Sequence, residues 1–389
     1  MAGVAWTDEL LDDLRGQADP DVDGVVDEYY RRHPEIDDAR HLVRQIVRRG
    51  ALGDHDQALA AYLRDPSARP SWADDELIRR GQRFFADRSD EIGNILFCAS
   101  LPEAYGAARG VHVLAVTAEL ATNAKRRVAE TGRFLLDALT EGALEPGAAG
   151  YRAARGVRLM HAAVRHMVRN DPDVRRDDDP VVEHRGCKAF TPRWSTAWGE
   201  PINQEDLLGT LLTFTWRVFD ALETIGDPAD PEDREAYLHT WSVIGHLLGI
   251  RPDLLPIDLS GVDHLHRLTW RRLQGPSCAG RIMTSALVGT LHDTMPGPRS
   301  LPQSQIRAFI GARAANRLGV PPSGWPALLF GPMRLLHRVE GATGVPDLTR
   351  PLTRDMRRRV WERFIAAGHG GRPPFEIPLS EGRRPPKRR

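Results

Sequence analysis

Cysteine is scarce: the 389 residues hold three, at positions 98, 187 and 278. No two form a CxxC pair, which excludes a zinc ribbon and a thioredoxin-type redox motif. No CxxCH occurs, so covalent c-type haem attachment is excluded as well. Three thiols that are far apart and odd in number read as unpaired. They fit a reducing compartment, so the expected setting is cytoplasmic. An excess of charge of one sign is also missing. The 53 basic and 53 acidic side chains give a formal net charge of zero, so no whole-chain electrostatic case for binding nucleic acid exists. Long apolar runs are absent too. The most apolar stretch, Leu207 to Leu222, carries Arg217 and Asp220 and falls short of the roughly 20 residues that cross a bilayer. No membrane span is expected. The opening MAGVAWTDELLDDLRG has no basic segment leading into an apolar one, so no signal peptide is expected. HExxH, Glu-x-x-His, GxSxG, GxGxxG and Walker patterns are lacking. Zincin, ferritin-like di-iron, nucleophile-elbow and nucleotide-binding readings fall with them.

What is present is helical periodicity, with no convincing alternating strand. The chain is long enough to bury a core and enclose a cofactor. Residues 1–70, polar and rich in Asp and Arg, read as short helices capping the body. Residues 71–250 read as the core. Its helices are separated by breakers at Gly142–Gly150, Asn170–Pro180 and Gly226–Pro231. Residues 251–369 read as a further helical region packed on that core, and 370–389 as a flexible basic tail. Three stretches matter most: Val111 to Leu139, as one helix or two, Arg152 to Val168, and the pair Asp206 to Thr224 and Arg234 to Leu248. Asn203 suits an N-cap with Asp206 three residues on. Pro231, Glu232 and Asp233 suit the start of the last helix.

Three constellations carry chemistry. In RGVRLMHAAVRHMV, Val157, Met160, His161, Val164 and Val168 fall at i, i+3, i+4, i+7 and i+11, one apolar stripe with a histidine in its middle. Arg158, Arg165 and Arg169 lie off it. A ring facing an apolar interior needs a partner for its nitrogens. That partner is either an iron porphyrin, held by one neutral imidazole among apolar side chains, or an ordinary hydrogen bond in the core. In KRRVAETGRFLLDAL, Arg127, Glu130, Thr131 and Phe134 share a face. They line a pocket, or Arg127 and Glu130 form an exposed intrahelical pair. In AYLHTWSVIGHLLGI, His239, Val243 and His246 stack over two turns. A seven-residue spacing disfavours chelation of one ion by both histidines. It leaves contact with haem propionates, ordering of water, or hydrogen bonding in the core.

The words SLPEAYGAARGVHVL, RRVAETGRFLLDAL, GVRLMHAAVRH, GEPINQEDLLGTLLTF and YLHTWSVIGHLLGI, in this order, resemble the latex-clearing protein/MpaB oxygenase family from about Asp75 to Ile250. The resemblance implies an all-α fold with a globin-like helical core around one non-covalent haem b. It also implies dioxygen as co-substrate and His161 as the proximal iron ligand. The family's distal Arg and Thr map onto Arg127 and Thr131, and its two later histidines onto His239 and His246. Relatives cleave isoprenoid carbon–carbon double bonds to carbonyl ends. Where the rubber-cleaving branch carries a distal lysine, this chain has Glu130. Where that branch carries a glutamate base, it has Val111 or His112. Glu130 therefore joins Arg127 and Thr131 as a candidate catalytic residue, with His112 as the other candidate base. The implied partners are a hydrophobic, alkene-containing small molecule and an electron donor. The alternatives are a haem-dependent hydroxylase or peroxidase-like oxidase, and a non-catalytic haem-binding helical protein.

Overall fold

The computed structural model describes residues 4–49, 56–116, 124–176, 187, 193–256, 258–294 and 298–322. Residues 323–389, with the expected basic tail, lie outside the described residues. Helices dominate, as the periodicity requires. They are α1 (Asp8–Arg15), α2 (Pro20–Arg32), α3 (His41–Arg49), α4 (Gln57–Arg64), α5 (Asp75–Asp87), α6 (Ser89–Ile95), α7 (Leu101–Tyr105) and α8 (Val111–Val116). There follow α9 (Ala124–Leu139), α10 (Ala149–Asn170), α11 (Gln204–Phe214), α12 (Trp216–Ile225), α13 (Pro231–Leu247), α14 (Val262–Leu273), α15 (Cys278–Thr294) and α16 (Leu301–Arg317). A π-helical turn, Leu96–Ser100, joins α6 to α7. Among the described residues the strand content is one two-residue parallel pair, Arg175–Arg176 against Trp194–Ser195.

Local chemistry sets the helix ends. Asn203 Oδ1 accepts the Asp206 N–H at 2.9 Å, and Asn203 Nδ2 donates back to the Asp206 carboxylate at 2.9 Å. The cap is therefore closed in both directions, as its spacing predicts. Pro231 opens α13 with Glu232 and Asp233 in its first turn, where a missing N–H costs nothing and anions face the positive helix end. The single helix expected over 206–224 is two. Thr215 (φ −117°, ψ −80°) breaks the run between α11 and α12.

Two apolar cores organise the body. The larger joins α5, α6, α11, α12, α13, α15 and α16. The second lies between the N-terminal helices and α10. It packs Val22, Val26, Leu42 and Leu59 against Leu159, Ala162, Ala163 and Met167. Helices α5 and α13 meet at Gly81. A Cβ there would collide with Thr240 Oγ1 and lie 2.6 Å from the Ala236 carbonyl, so only glycine allows this approach.

The cysteines depart from expectation. Cys187 and Cys278 form a disulfide across 91 residues of sequence, with Cα atoms 5.2 Å apart. Cys98 alone is free and buried, and burial pushes its thiol up to about 12. The premise of three unpaired thiols is thereby corrected: spacing along the chain says nothing of proximity across it. In denaturant without reductant, a thiol assay should find one reactive cysteine per chain, and three after reduction. Cys278→Ser should cost roughly 2–4 kcal/mol of stability, because the cross-link no longer restricts the unfolded chain. Three thiols without reductant would disprove the pairing.

Candidate functional site

Helix α10 carries the predicted imidazole. Its stripe is graded rather than uniformly buried. Val164 and Val168 are buried, whereas Val157, Met160 and His161 are half-buried, although Leu159, Ala162 and Ala163 beside them are fully covered. An apolar patch with one histidine at its centre thus stays accessible in the middle of a 22-residue helix. Helix α9 packs against α10. On α9, Glu130, Thr131 and Phe134 are all half-buried. Glu130 is therefore less exposed than a solvent-facing pair implies, while its pairing with Arg127 falls outside the described residues. The backbone of Arg127 is helical, and its side chain lies outside the described residues. His112, the alternative base, is buried on α8, with its ring centroid 4.9 Å from that of Trp198.

The two α13 histidines face the N-terminal segment that leads into α5. His239 Nε2 accepts the Asp74 backbone N–H at 2.9 Å. Nε2 is thus an acceptor and the ring proton sits on Nδ1. Trp72 lies edge-on to both rings, with centroids 5.7 Å from His239 and 6.1 Å from His246. Burial depresses the basicity of His239, with the Asp74 carboxylate opposing. Burial depresses His246 too, aided by the cations Arg158 and Arg155 and opposed by the Ala68 backbone. Both rings are therefore neutral at pH 7. His246 Nδ1 and the Tyr62 hydroxyl are buried with no hydrogen-bond partner among the described residues. Arg155 stacks 4.0 Å above the Tyr62 ring.

Sequence reasoning assigned no role to a second buried cluster. Glu103, from the word SLPEAYG, accepts from Arg217 and pairs with His266 Nε2 at 2.7 Å. All three are at most 6% exposed. His266 stacks on Trp216 at 3.6 Å, and Arg217 reaches Asp220 at 2.6 Å. Burial would raise the Glu103 carboxyl, but Arg217 and His266 outweigh it and hold it below the ordinary glutamate range. A visible signal existed. Arg217 and Asp220 interrupt the most apolar run of the chain, and a charge at a core position needs a partner. A third group joins Arg15, Glu205 and Arg272, anchoring α1 to α11. Beside it, burial pushes the Asp206 carboxyl up to about 6, against the pull of Arg15.

A family model described as "ER-bound oxygenase mpaB/B'/Rubber oxygenase, catalytic domain" matches residues 92–342, more than half of the chain. The chain belongs to that family. A rubber oxygenase from Streptomyces sp. (strain K30) is 24% identical over 322 residues, covering 78% of this chain and 70% of its own. The solved structure of latex clearing protein LCP in the closed state shares the fold, with TM-score 0.66 and 19% identity over 91% of each chain. The resemblance drawn from the five words and the all-α expectation both hold. The MpaB/rubber oxygenase domain makes this chain an oxygenase, and it begins only at residue 92, after α1 to α5 and within α6. No described helix is long and apolar enough to cross a membrane.

The residues suit a porphyrin. It brings its own four equatorial nitrogens and needs from the protein one neutral imidazole, apolar cover and donors for its carboxylates. His161 with Val157 and Met160 meets the first two demands. The Tyr62 hydroxyl, which has no hydrogen-bond partner among the described residues, is a donor of the kind the third requires. Among the described residues no three His, Cys, Asp or Glu side chains converge as ligands for a bare ion.

Proposed function

We propose that this chain is a haem b-dependent oxygenase that uses dioxygen to cleave a carbon–carbon double bond in a hydrophobic, isoprenoid-like substrate. The half-buried patch of His161, Val157 and Met160 on α10 carries the reading, and the rubber oxygenase relationship supplies the substrate class. Haem b, when bound, would supply the redox chemistry on dioxygen that no protein side chain provides. His161 would ligate its iron. On α9, Glu130 would accept a proton at its carboxylate, Thr131 Oγ1 would relay it or order a water, and Arg127 would supply guanidinium donors to a polar oxygen. His239 and His246 would bind or orient the cofactor's carboxylates. The apolar flank of α10 and Phe134 would exclude water and hold the alkene.

Cleavage of an alkene by dioxygen places one oxygen atom on each carbon and balances without external electrons. An electron donor is thus required only to maintain the reduced cofactor. The compartment belongs to the same proposal: the Cys187–Cys278 cross-link suits an oxidising setting, against the cytoplasmic one that three unpaired thiols implied.

The test is a pyridine haemochrome of the purified protein, followed by incubation of an isoprenoid oligomer with isotopically labelled dioxygen. A type b spectrum and two carbonyl-ended fragments, each carrying one labelled oxygen, are expected. A hydroxylated, intact skeleton would instead establish the hydroxylase alternative. A colourless protein after expression with ample haem would overturn the oxygenase mechanism.

A further inference from the structure

Helices α1 to α5 precede the matched oxygenase domain or lie outside it, so they read at first as an appendage. Their contacts say otherwise. Asp19, at the N-cap of α2, receives both Arg158 Nε (2.6 Å) and Arg158 Nη2 (2.7 Å), a two-pronged pair with Asp19 only 4% exposed. One turn further along α2, Asp23 receives Arg165 Nε at 2.7 Å and Arg169 Nη1 at 3.1 Å. Arg165 is fully buried. At the far end of α2, Tyr30 stacks flat on His166 at 3.9 Å and 3°.

All of these partners lie on α10, and Arg158 and Arg165 stand three residues before and four after His161. These offsets place each about one helical turn from the imidazole. The Asp19–Arg158 pair also packs on Gly249, just past the end of the His246 helix. A Cβ there would clash with Asp19 and lie 2.9 Å from Arg158 Nε, and its φ is +96°. Gln204 Nε2 ties the same corner, donating to the Ala18 and Gly249 carbonyls at 2.9 and 3.0 Å.

Apolar packing between α2 and α10 tolerates a helix that slides or rotates. A two-pronged carboxylate–guanidinium pair does not, because its geometry is directional. That pair and the Asp23 carboxylate, which takes one bond from each of Arg165 and Arg169, flank His161 and lose their bonds together if α10 shifts along its axis. We propose that the N-terminal cap is a working part of the oxygenase site, with Asp19 and Asp23 as positioning residues that hold α10 in the register that orients His161. The proposal rests on His161 being the iron ligand.

Asp19→Asn removes the charge at constant size, and Arg158→Lys keeps the charge while losing the second prong. Two readouts on the full-length protein decide the matter. The first is amide hydrogen exchange across residues 157–165, compared with α12 as an internal reference. The second is the rate at which haem b leaves for an apoglobin acceptor. Asp19→Asn is expected to lower protection in 157–165 selectively and to speed haem loss by about tenfold, the scale of disturbing a group that supports a metal ligand. Arg158→Lys should fall between, and Asp19→Glu should recover part of the effect. Unchanged protection in 157–165, an equal fall in α12, or an unchanged haem-loss rate would overturn the proposal. If the wild-type protein takes up no haem, the functional reading fails separately, and selective loss of protection still decides whether the anchor holds α10.

Discussion

His161→Ala, expressed with the same haem supply as the wild type, is expected to emerge without a Soret band. Disturbing a group that merely orients a metal ligand costs on the order of 10–100-fold in affinity. Removing the ligand itself should exceed that, while apolar contact along Val157 and Met160 retains at most weak, non-specific porphyrin. The helix should survive, because alanine is the best helix former and the side chain is only half-buried. Far-ultraviolet circular dichroism should therefore match the wild type while the visible spectrum does not. Added imidazole should restore part of the band by occupying the vacated position. His239→Ala and His246→Ala are the controls: each should keep the band, since neither ring is assigned to the iron. A His161→Ala protein that purifies with the wild-type spectrum would remove His161 from the scheme.

Glu103→Gln is expected to destabilise the fold by roughly 3–5 kcal/mol, the usual consequence of removing one partner of a buried ion pair. The carboxylate balances Arg217 and His266 at once. An amide leaves a cation at 6% exposure with Asp220 as its remaining counter-charge. A urea midpoint within error of the wild type would show that the cluster contributes nothing net. The pH dependence has a defined sign. Glu103 is held below its ordinary value, so its stabilisation is present above about pH 4.5 and is lost as pH falls through the lower folded-state value. The variant should accordingly lose most relative to the wild type near neutrality, and the two should converge in acid.

Local rules were legible in the sequence, and long-range pairings were not. The α10 stripe, the Asn203 cap and the Pro231 helix start follow from neighbours within four residues, and each stands where the pattern puts it. Arg165 shows the limit. On a helical wheel it falls among the arginines off the apolar stripe, yet it is fully buried, because Asp23 lies 142 residues away in sequence and meets it in space. The Cys187–Cys278 pairing was invisible for the same reason. The direction of His239 was equally hidden. Its acceptor role depends on the Asp74 N–H, presented by a segment 165 residues upstream. The five family words drew attention to the helices that build the site, but four of the five lie after residue 110. They say nothing of the N-terminal helices that grip α10.

That grip also explains what the zero net charge conceals. Residues 1–74 hold 16 acidic and 9 basic side chains, leaving 37 acidic and 44 basic in the remainder. The two excesses cancel in the sum, and within the fold α2 carboxylates meet α10 guanidinium groups. A fragment trimmed to the matched oxygenase domain, residues 92–342, would hold 27 acidic and 28 basic side chains and stay near neutral, yet Arg158, Arg165 and Arg169 would lose their α2 carboxylates. Such a fragment would bare guanidinium groups and apolar surface that the cap covers, and is expected to associate or unfold. Instability or self-association measured on the fragment would therefore describe the cut, not the protein.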